Sequence, residues 1–121
     1  MQFDEWIVEE FAARGVFTAL VVLVEIGARS VTPLASTYLN VIGAETRWPE
    51  IVTLFASAGV AWDGASFFPA RPAGGGLLDN SAARASLSGL EARVKAERLT
   101  LNEGFFCDRE GRRIMIEVAA P

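Results

Sequence analysis

A run of uncharged residues near the N-terminus constrains the fold of this chain most strongly. Residues 15–24 carry no charge, and residues 16–26 are rich in β-branched side chains and apolar on both faces until Glu25. A strand that is apolar on both faces belongs in the interior of a sheet, with other layers covering each side. We therefore expect a central strand at residues 16–26, covered on both faces.

Three helices are predicted from apolar periodicity and end signals. The first covers about residues 4–14, with Asp4 as a cap and Gly15 just beyond its end. The second begins at Trp48-Pro49 and stops at Gly59, and the third covers about residues 81–98. The residues that share one apolar face are Phe3, Trp6, Ile7 and Phe11 in the first helix and Ile51, Leu54, Phe55 and Ala58 in the second, and the predicted buried stripe of the third is Ala83, Leu87, Leu90 and Val94.

The remaining segments predict further strands. Residues 33–43 fit either a helix begun by Pro33 or an alternating strand, and we favour a strand that forms a hairpin with residues 16–26. Residues 60–69 look extended, and residues 99–107 and 112–118 predict a last hairpin, with Ile114, Ile116 and Val118 on one face. The order α-β-β-α-β-α-β-β predicts one α+β domain over residues 1–121, a mainly antiparallel sheet packed by about three helices.

The composition excludes several classes of function. The chain has no histidine, which removes imidazole-based nucleophilic triads and imidazole metal ligands, and its single Cys107 cannot form a thiolate zinc site. A net charge of −4 disfavours nucleic acid as a partner, and the longest uncharged run is too short for a membrane helix. We expect no metal, no cofactor, no membrane association and a cytoplasmic location. The strong excess of Arg over Lys is typical of a GC-rich bacterial genome.

One glycine-rich segment is a candidate ligand site. Arg71-Pro-Ala-Gly74-Gly75-Gly76 lies between a predicted strand and a long helix, where backbone N–H groups favour anions. The pattern Arg-x-x-Gly-x-Gly in that position resembles the pyrophosphate loop of the GNAT acetyltransferase superfamily. The resemblance implies a loop that holds acyl-coenzyme A through backbone amides. An ordinary surface loop is the other interpretation of the same residues.

Two carboxylates form a second candidate site. Glu25 ends the uncharged run of the central strand, and Asp63 lies beside Trp62. A carboxylate that is partly removed from water can act as a general base. The other interpretation places Glu25 in solvent, paired with Arg29, and makes Asp63 a turn residue.

Large apolar side chains indicate self-association. Hydrophobic residues make up 51% of the chain, and neighbours in a strand point to opposite faces, so the pairs Phe67-Phe68 and Phe105-Phe106 each send one ring to each face. Those rings need cover from a helix of the same chain or from a second subunit. We expect a small non-catalytic domain that binds itself or a protein partner. The alternative is an anion- or acyl-coenzyme-A-binding domain at Arg71–Gly76.

Overall fold

A computed structural model describes residues 1–117 and confirms the α+β architecture. In chain order the elements are α1 (Phe3–Arg14), β1 (Phe17–Ile26), β2 (Val31–Val41), α2 (Trp48–Ala56), β3 (Gly64–Ala70), α3 (Asn80–Ala96), a short 3-10 helix (Arg98–Glu103) and β4 (Phe105–Asp108). The order of elements agrees with the prediction. In the described part of the chain, no helix combines the length and apolar character needed to cross a membrane.

The four strands form one antiparallel sheet in the order β2-β1-β3-β4. β1 is an interior strand, as its apolar composition predicted, and it pairs with β2 on one side and β3 on the other. Residues 33–43 therefore belong mainly to a strand, and the predicted hairpin with β1 is confirmed. The outer strands are β2 and β4.

Helices cover both faces of this sheet because β1 is apolar on both. Odd-numbered residues of β1, such as Val21, pack in a cluster with α1 and α2, which also contains Trp48 and Trp62, and the partly buried Trp6 packs against it. Even-numbered residues, such as Val22, pack against α3. The buried stripe of α3 is the predicted one, namely Ala83, Leu87, Leu90 and Val94.

The paired phenylalanines are covered within the chain. Phe67 and Phe105 belong to the α1–α2 side, whereas Phe106 is buried on the α3 side and Phe68 is partly buried there. Neighbouring rings do point to opposite faces, as the strand geometry requires. Helices of the same chain supply the cover, so the faces of the sheet offer a partner little aromatic surface.

The C-terminal hairpin differs from its predicted bounds. Residues 98–103 form a 3-10 helix, whose first turn is capped by the Glu97 carboxylate, which accepts from the amide of Leu99 at 2.9 Å. The buried hydroxyl of Ser66 donates to the carbonyl of Leu101 at 2.7 Å and ties this helix to β3. Of the predicted hairpin, within residues 99–117, only Phe105–Asp108 form a strand. Val118, predicted to share a face with Ile114, lies outside the described residues.

Three local predictions are wrong. Ala58, predicted on the buried face of α2, is exposed, because the helix ends at Ala56, before the predicted stop at Gly59. Leu54, predicted on the buried face of α2, is 51% exposed, because Trp48 takes its place beside Ile51 and Phe55. Asp4 does not cap its own helix, since Gln2 is the capping residue of α1. The Asp4 carboxylate instead accepts from the amide of Trp48 at 2.8 Å and so caps the first turn of α2.

Candidate functional site

Arg71 is held by the protein itself rather than directed at the glycine loop. Its guanidinium donates to the Glu10 carboxylate at 3.0 Å and to the carbonyl oxygens of Gly15 and Val16 at 3.0 and 3.2 Å. It also lies over the ring of Phe17, 4.9 Å from the centroid. These contacts tie the end of β3 to the connection between α1 and β1. The role that the structure shows for Arg71 is therefore structural.

The glycine loop lies open to solvent beside Arg71. Gly74 and Gly75 are exposed, and Gly75 and Gly76 have φ values of 85° and 92°, a region that side chains other than glycine rarely adopt. No atom lies within 4 Å of a Cβ built on any of the three. The helix that follows, α3, is capped by Asp79, whose carboxylate accepts from the amide of Ala82 at 2.7 Å. A negative side chain thus already occupies the helix terminus where an anion would bind.

Glu25 and Asp63 lie at the opposite end of the same strands. Asp63 donates its amide to the carbonyl of Val24, and its carboxylate accepts from the amide of Ile26, both at 2.8 Å. This carboxylate closes the end of the β1–β3 pairing, and Glu25 next to it is exposed. The seven paired residues of β1 and β3 separate this end from Arg71 by roughly 20 Å. The two candidate groups do not form one site.

Cys107 is fully buried in the α1–α2 cluster. Burial raises the pKa of its thiol far above the ordinary range, and the neighbouring negative charge of Asp108 raises it further. The thiolate is the reactive form, so this environment keeps Cys107 unreactive. Within residues 1–117, no three His, Cys, Asp or Glu side chains are grouped in a way that could hold a metal ion.

The outer edge of β4 is closed by the chain that follows it. The amide of Asp108 donates to the carbonyl of Arg112 at 3.0 Å, and the amide of Ile114 donates to the carbonyl of Phe106 at 2.9 Å. The side chain of Asn102 then holds Ile116 by two bonds of 2.8 Å, one to its amide and one to its carbonyl. This side of the sheet therefore offers few free backbone groups.

The edge of β2 is different, and the register shows which of its backbone groups are free. The carbonyl of Val24 points toward β3, where it accepts from Asp63. Because backbone direction alternates along an antiparallel strand, the odd-numbered residues of β1 point toward β2. The odd-numbered residues of β2 from Ala35 to Val41 are their partners. Ser36, Tyr38 and Asn40 therefore direct their N–H and C=O groups away from the sheet.

We define these three residues as the open edge. Within residues 1–117, none of the three amides or carbonyls has a hydrogen-bond partner in another segment. Pro33, which has no N–H, and a β-bulge at Leu34 mark one end of the open edge. Beyond them, the strand carries none of the charged side chains that commonly prevent edge pairing, since residues 30–44 are all uncharged.

Side-chain hydrogen bonds to β1 and α3 hold the open edge in place. The hydroxyl of Tyr38 donates to the side-chain oxygen of Asn80 at the start of α3. The side-chain oxygen of Asn40 accepts from the buried hydroxyl of Thr18 at 3.0 Å, and that hydroxyl in turn accepts from the amide of Leu78 at 3.0 Å. These contacts fix the strand before any partner arrives, which lowers the entropic cost of pairing.

The open edge is not among the predicted site residues. Its sequence signal is the uncharged, alternating character of residues 30–44, which predicts a strand and no more. Nothing in that pattern distinguishes an outer strand from an inner one, since the distinction arises from the pairing order. Comparisons of the chain with protein-family models, curated proteins and solved structures found no match.

Proposed function

We propose that this protein is a small non-catalytic interaction domain that docks a β-strand against the open edge of β2. The observation that carries the proposal is the row of backbone groups at Ser36, Tyr38 and Asn40, which are unpaired within residues 1–117 and lie in an uncharged, well-supported strand. An exposed edge of this kind is a template for strand addition, in which main-chain hydrogen bonds supply the affinity.

The chemistry elsewhere in the chain supports a non-catalytic role. The chain contains no histidine, its cysteine is buried, and its two candidate carboxylates lie far from Arg71. The Asp63 carboxylate accepts a hydrogen bond from the backbone amide of Ile26, a structural contact at the end of β1. A buried free thiol suits a reducing compartment, and we propose a bacterial cytoplasmic origin, for which the arginine-rich composition is the support.

Hydrogen exchange tests the docking role residue by residue. The probe is a capped peptide of alternating Thr and Val flanked by Lys, added at roughly millimolar concentration because main-chain pairing alone is weak. We expect slower exchange at the amides of Ser36, Tyr38 and Asn40. The amides of Thr37 and Leu39 already bond to β1 and should not respond.

A matched pair of variants provides the control. Ser36→Pro removes an outward N–H without breaking a bond inside the sheet, whereas Ser36→Ala keeps that N–H. The peptide should slow amide exchange along the open edge of the Ser36→Ala variant and leave exchange unchanged in the Ser36→Pro variant. Unchanged exchange in the wild-type protein, both with the peptide and at raised protein concentration, would refute the docking role.

A second candidate function rests on the glycine loop. The open, positive-φ backbone of Gly75 and Gly76 just before α3 favours an anion or acyl-coenzyme A site. Two observations count against it: the Arg71 guanidinium is bound to Glu10 and to two carbonyls, and the Asp79 carboxylate occupies the start of α3. A thermal-shift measurement with coenzyme A and acetyl-coenzyme A decides it, because a ligand that binds only the folded state must raise Tm. No rise at roughly millimolar ligand would remove this candidate.

A further inference from the structure

We infer that the strand docked on the open edge is β2 of a second copy of this chain, antiparallel and related by a two-fold axis at Tyr38. This inference rests on the proposed docking role and names the partner. A two-fold axis pairs a surface with itself, and two identical strands related by such an axis perpendicular to the sheet run antiparallel. The two sheets would then join into one continuous sheet.

The spacing of the free backbone groups selects the register. Ser36, Tyr38 and Asn40 are evenly spaced, so an axis at Tyr38 places Ser36 opposite Asn40 of the second copy and Tyr38 opposite its own equivalent. All three positions then exchange main-chain hydrogen bonds with one another. Any other register leaves at least one of them opposite a residue outside this set.

The charge distribution permits a second copy at this edge. The chain has a net charge of −4, so two copies repel each other over most of their surfaces, but residues 30–44 bring no charge to the contact. Natural proteins commonly place lysine on outer strands to prevent such pairing. Here Pro33 and the bulge at Leu34 protect only the end of the strand and leave Ser36–Asn40 available.

The opposed side chains are also compatible. On the α1–α2 face, Thr37 would lie opposite Leu39 of the second copy, in a pair without main-chain bonds, where side chains approach closely. On the same face, Ala35 would lie opposite Val41 of the second copy. None of these pairs buries a charge.

Disulfide cross-linking tests the register. Thr37→Cys and Leu39→Cys variants are prepared separately, mixed and oxidised, because the proposed register brings these two positions together only across the dimer. The mixture should give a covalent heterodimer. Each variant alone should not, since residue 37 and its own equivalent are diagonal neighbours about 7–8 Å apart, beyond disulfide reach. Native Cys107 is buried and leaves the result unaffected. Circular dichroism confirms that both variants fold.

Charge exchange tests the partner independently of cysteine chemistry. Thr37 is exposed and carries no side-chain hydrogen bond in the described part of the chain. Thr37→Lys and Thr37→Glu should each weaken self-association about threefold or more, because two like charges then lie about 7–8 Å apart, diagonally across the axis. Mixing the two variants should restore association as a heterodimer. Thr37→Val is the uncharged control and should associate as the wild-type protein does.

The outcomes separate this inference from the docking role. If the strand peptide slows amide exchange at the open edge but the wild-type protein stays monomeric, a second copy is not the partner, and the docking role still holds. Self-association without a disulfide between the Thr37→Cys and Leu39→Cys variants in the mixture would overturn the axis at Tyr38. Loss of peptide protection and of self-association together would overturn both.

Discussion

Replacing Arg71 with leucine should destabilise the protein by about 3 kcal/mol. The guanidinium makes one ionic and two carbonyl hydrogen bonds, and the side chains of Arg71 and Glu10 are only 15% and 12% exposed. Removing one member of a buried ion pair costs roughly 3–5 kcal/mol, since the other charge is left without its partner. The lower end applies here because Glu10 keeps a contact with Arg14 at 3.5 Å.

Urea unfolding followed by tryptophan fluorescence measures this loss, which corresponds to a fall in Tm of roughly 10 °C for a chain of this length. Arg14→Ala is the matched control, because it removes the other cation beside Glu10 but is 67% exposed, and should cost no more than about 0.5 kcal/mol. A cost below about 1 kcal/mol for Arg71→Leu would refute the structural role, because the three bonds and the aromatic contact could not then be stabilising.

Two further predictions concern a turn and the thiol. Gly111→Ala should cost about 3 kcal/mol in urea unfolding, because Gly111 has a φ of 78° and a new Cβ would lie 2.8 Å from the Trp48 ring. Gly75 has a φ of 85° in open space, so Gly75→Ala should cost only about 1 kcal/mol, and a similar cost for both variants would contradict this reasoning. Burial raises the pKa of Cys107, so above about pH 8.5 the unfolded thiol ionises while the folded thiol stays neutral, and stability should fall by about 1 kcal/mol between pH 8 and 9.5. Cys107→Ala should abolish that fall, and an equal fall in the variant would rule out the thiol as its source.

The central strand and the long helix could be predicted because their patterns carry the information locally. The uncharged residues of β1 are compatible only with a strand covered on both faces, and the stripe of α3 repeats at helical spacing. The last hairpin was harder to predict, because apolar and polar residues alternate around Leu101 as they do in a strand. The bonds from Glu97 and Ser66 that bend residues 98–103 into a 3-10 helix come from side chains whose position the pattern does not reveal.

The candidate site could not be predicted for a related reason. Arg71 and the glycines beside it have the composition of an anion loop, but the carbonyls of Gly15 and Val16 that engage Arg71 are brought close only by folding. The open edge depends on β2 being the outer strand, which is a property of the pairing order. Residue patterns show the faces of a strand and not its neighbours.

The oligomeric state of the wild-type protein beside its Ser36→Pro and Ser36→Ala variants tests the account most directly. Sedimentation equilibrium from roughly 10 μM to roughly 1 mM covers the affinities expected of a strand-paired dimer. The wild-type protein and Ser36→Ala should show a concentration-dependent dimer, and Ser36→Pro should stay monomeric with an unchanged circular dichroism spectrum. A wild-type protein that remains monomeric throughout this range, or a Ser36→Pro variant that dimerises equally well, would contradict self-association through the open edge.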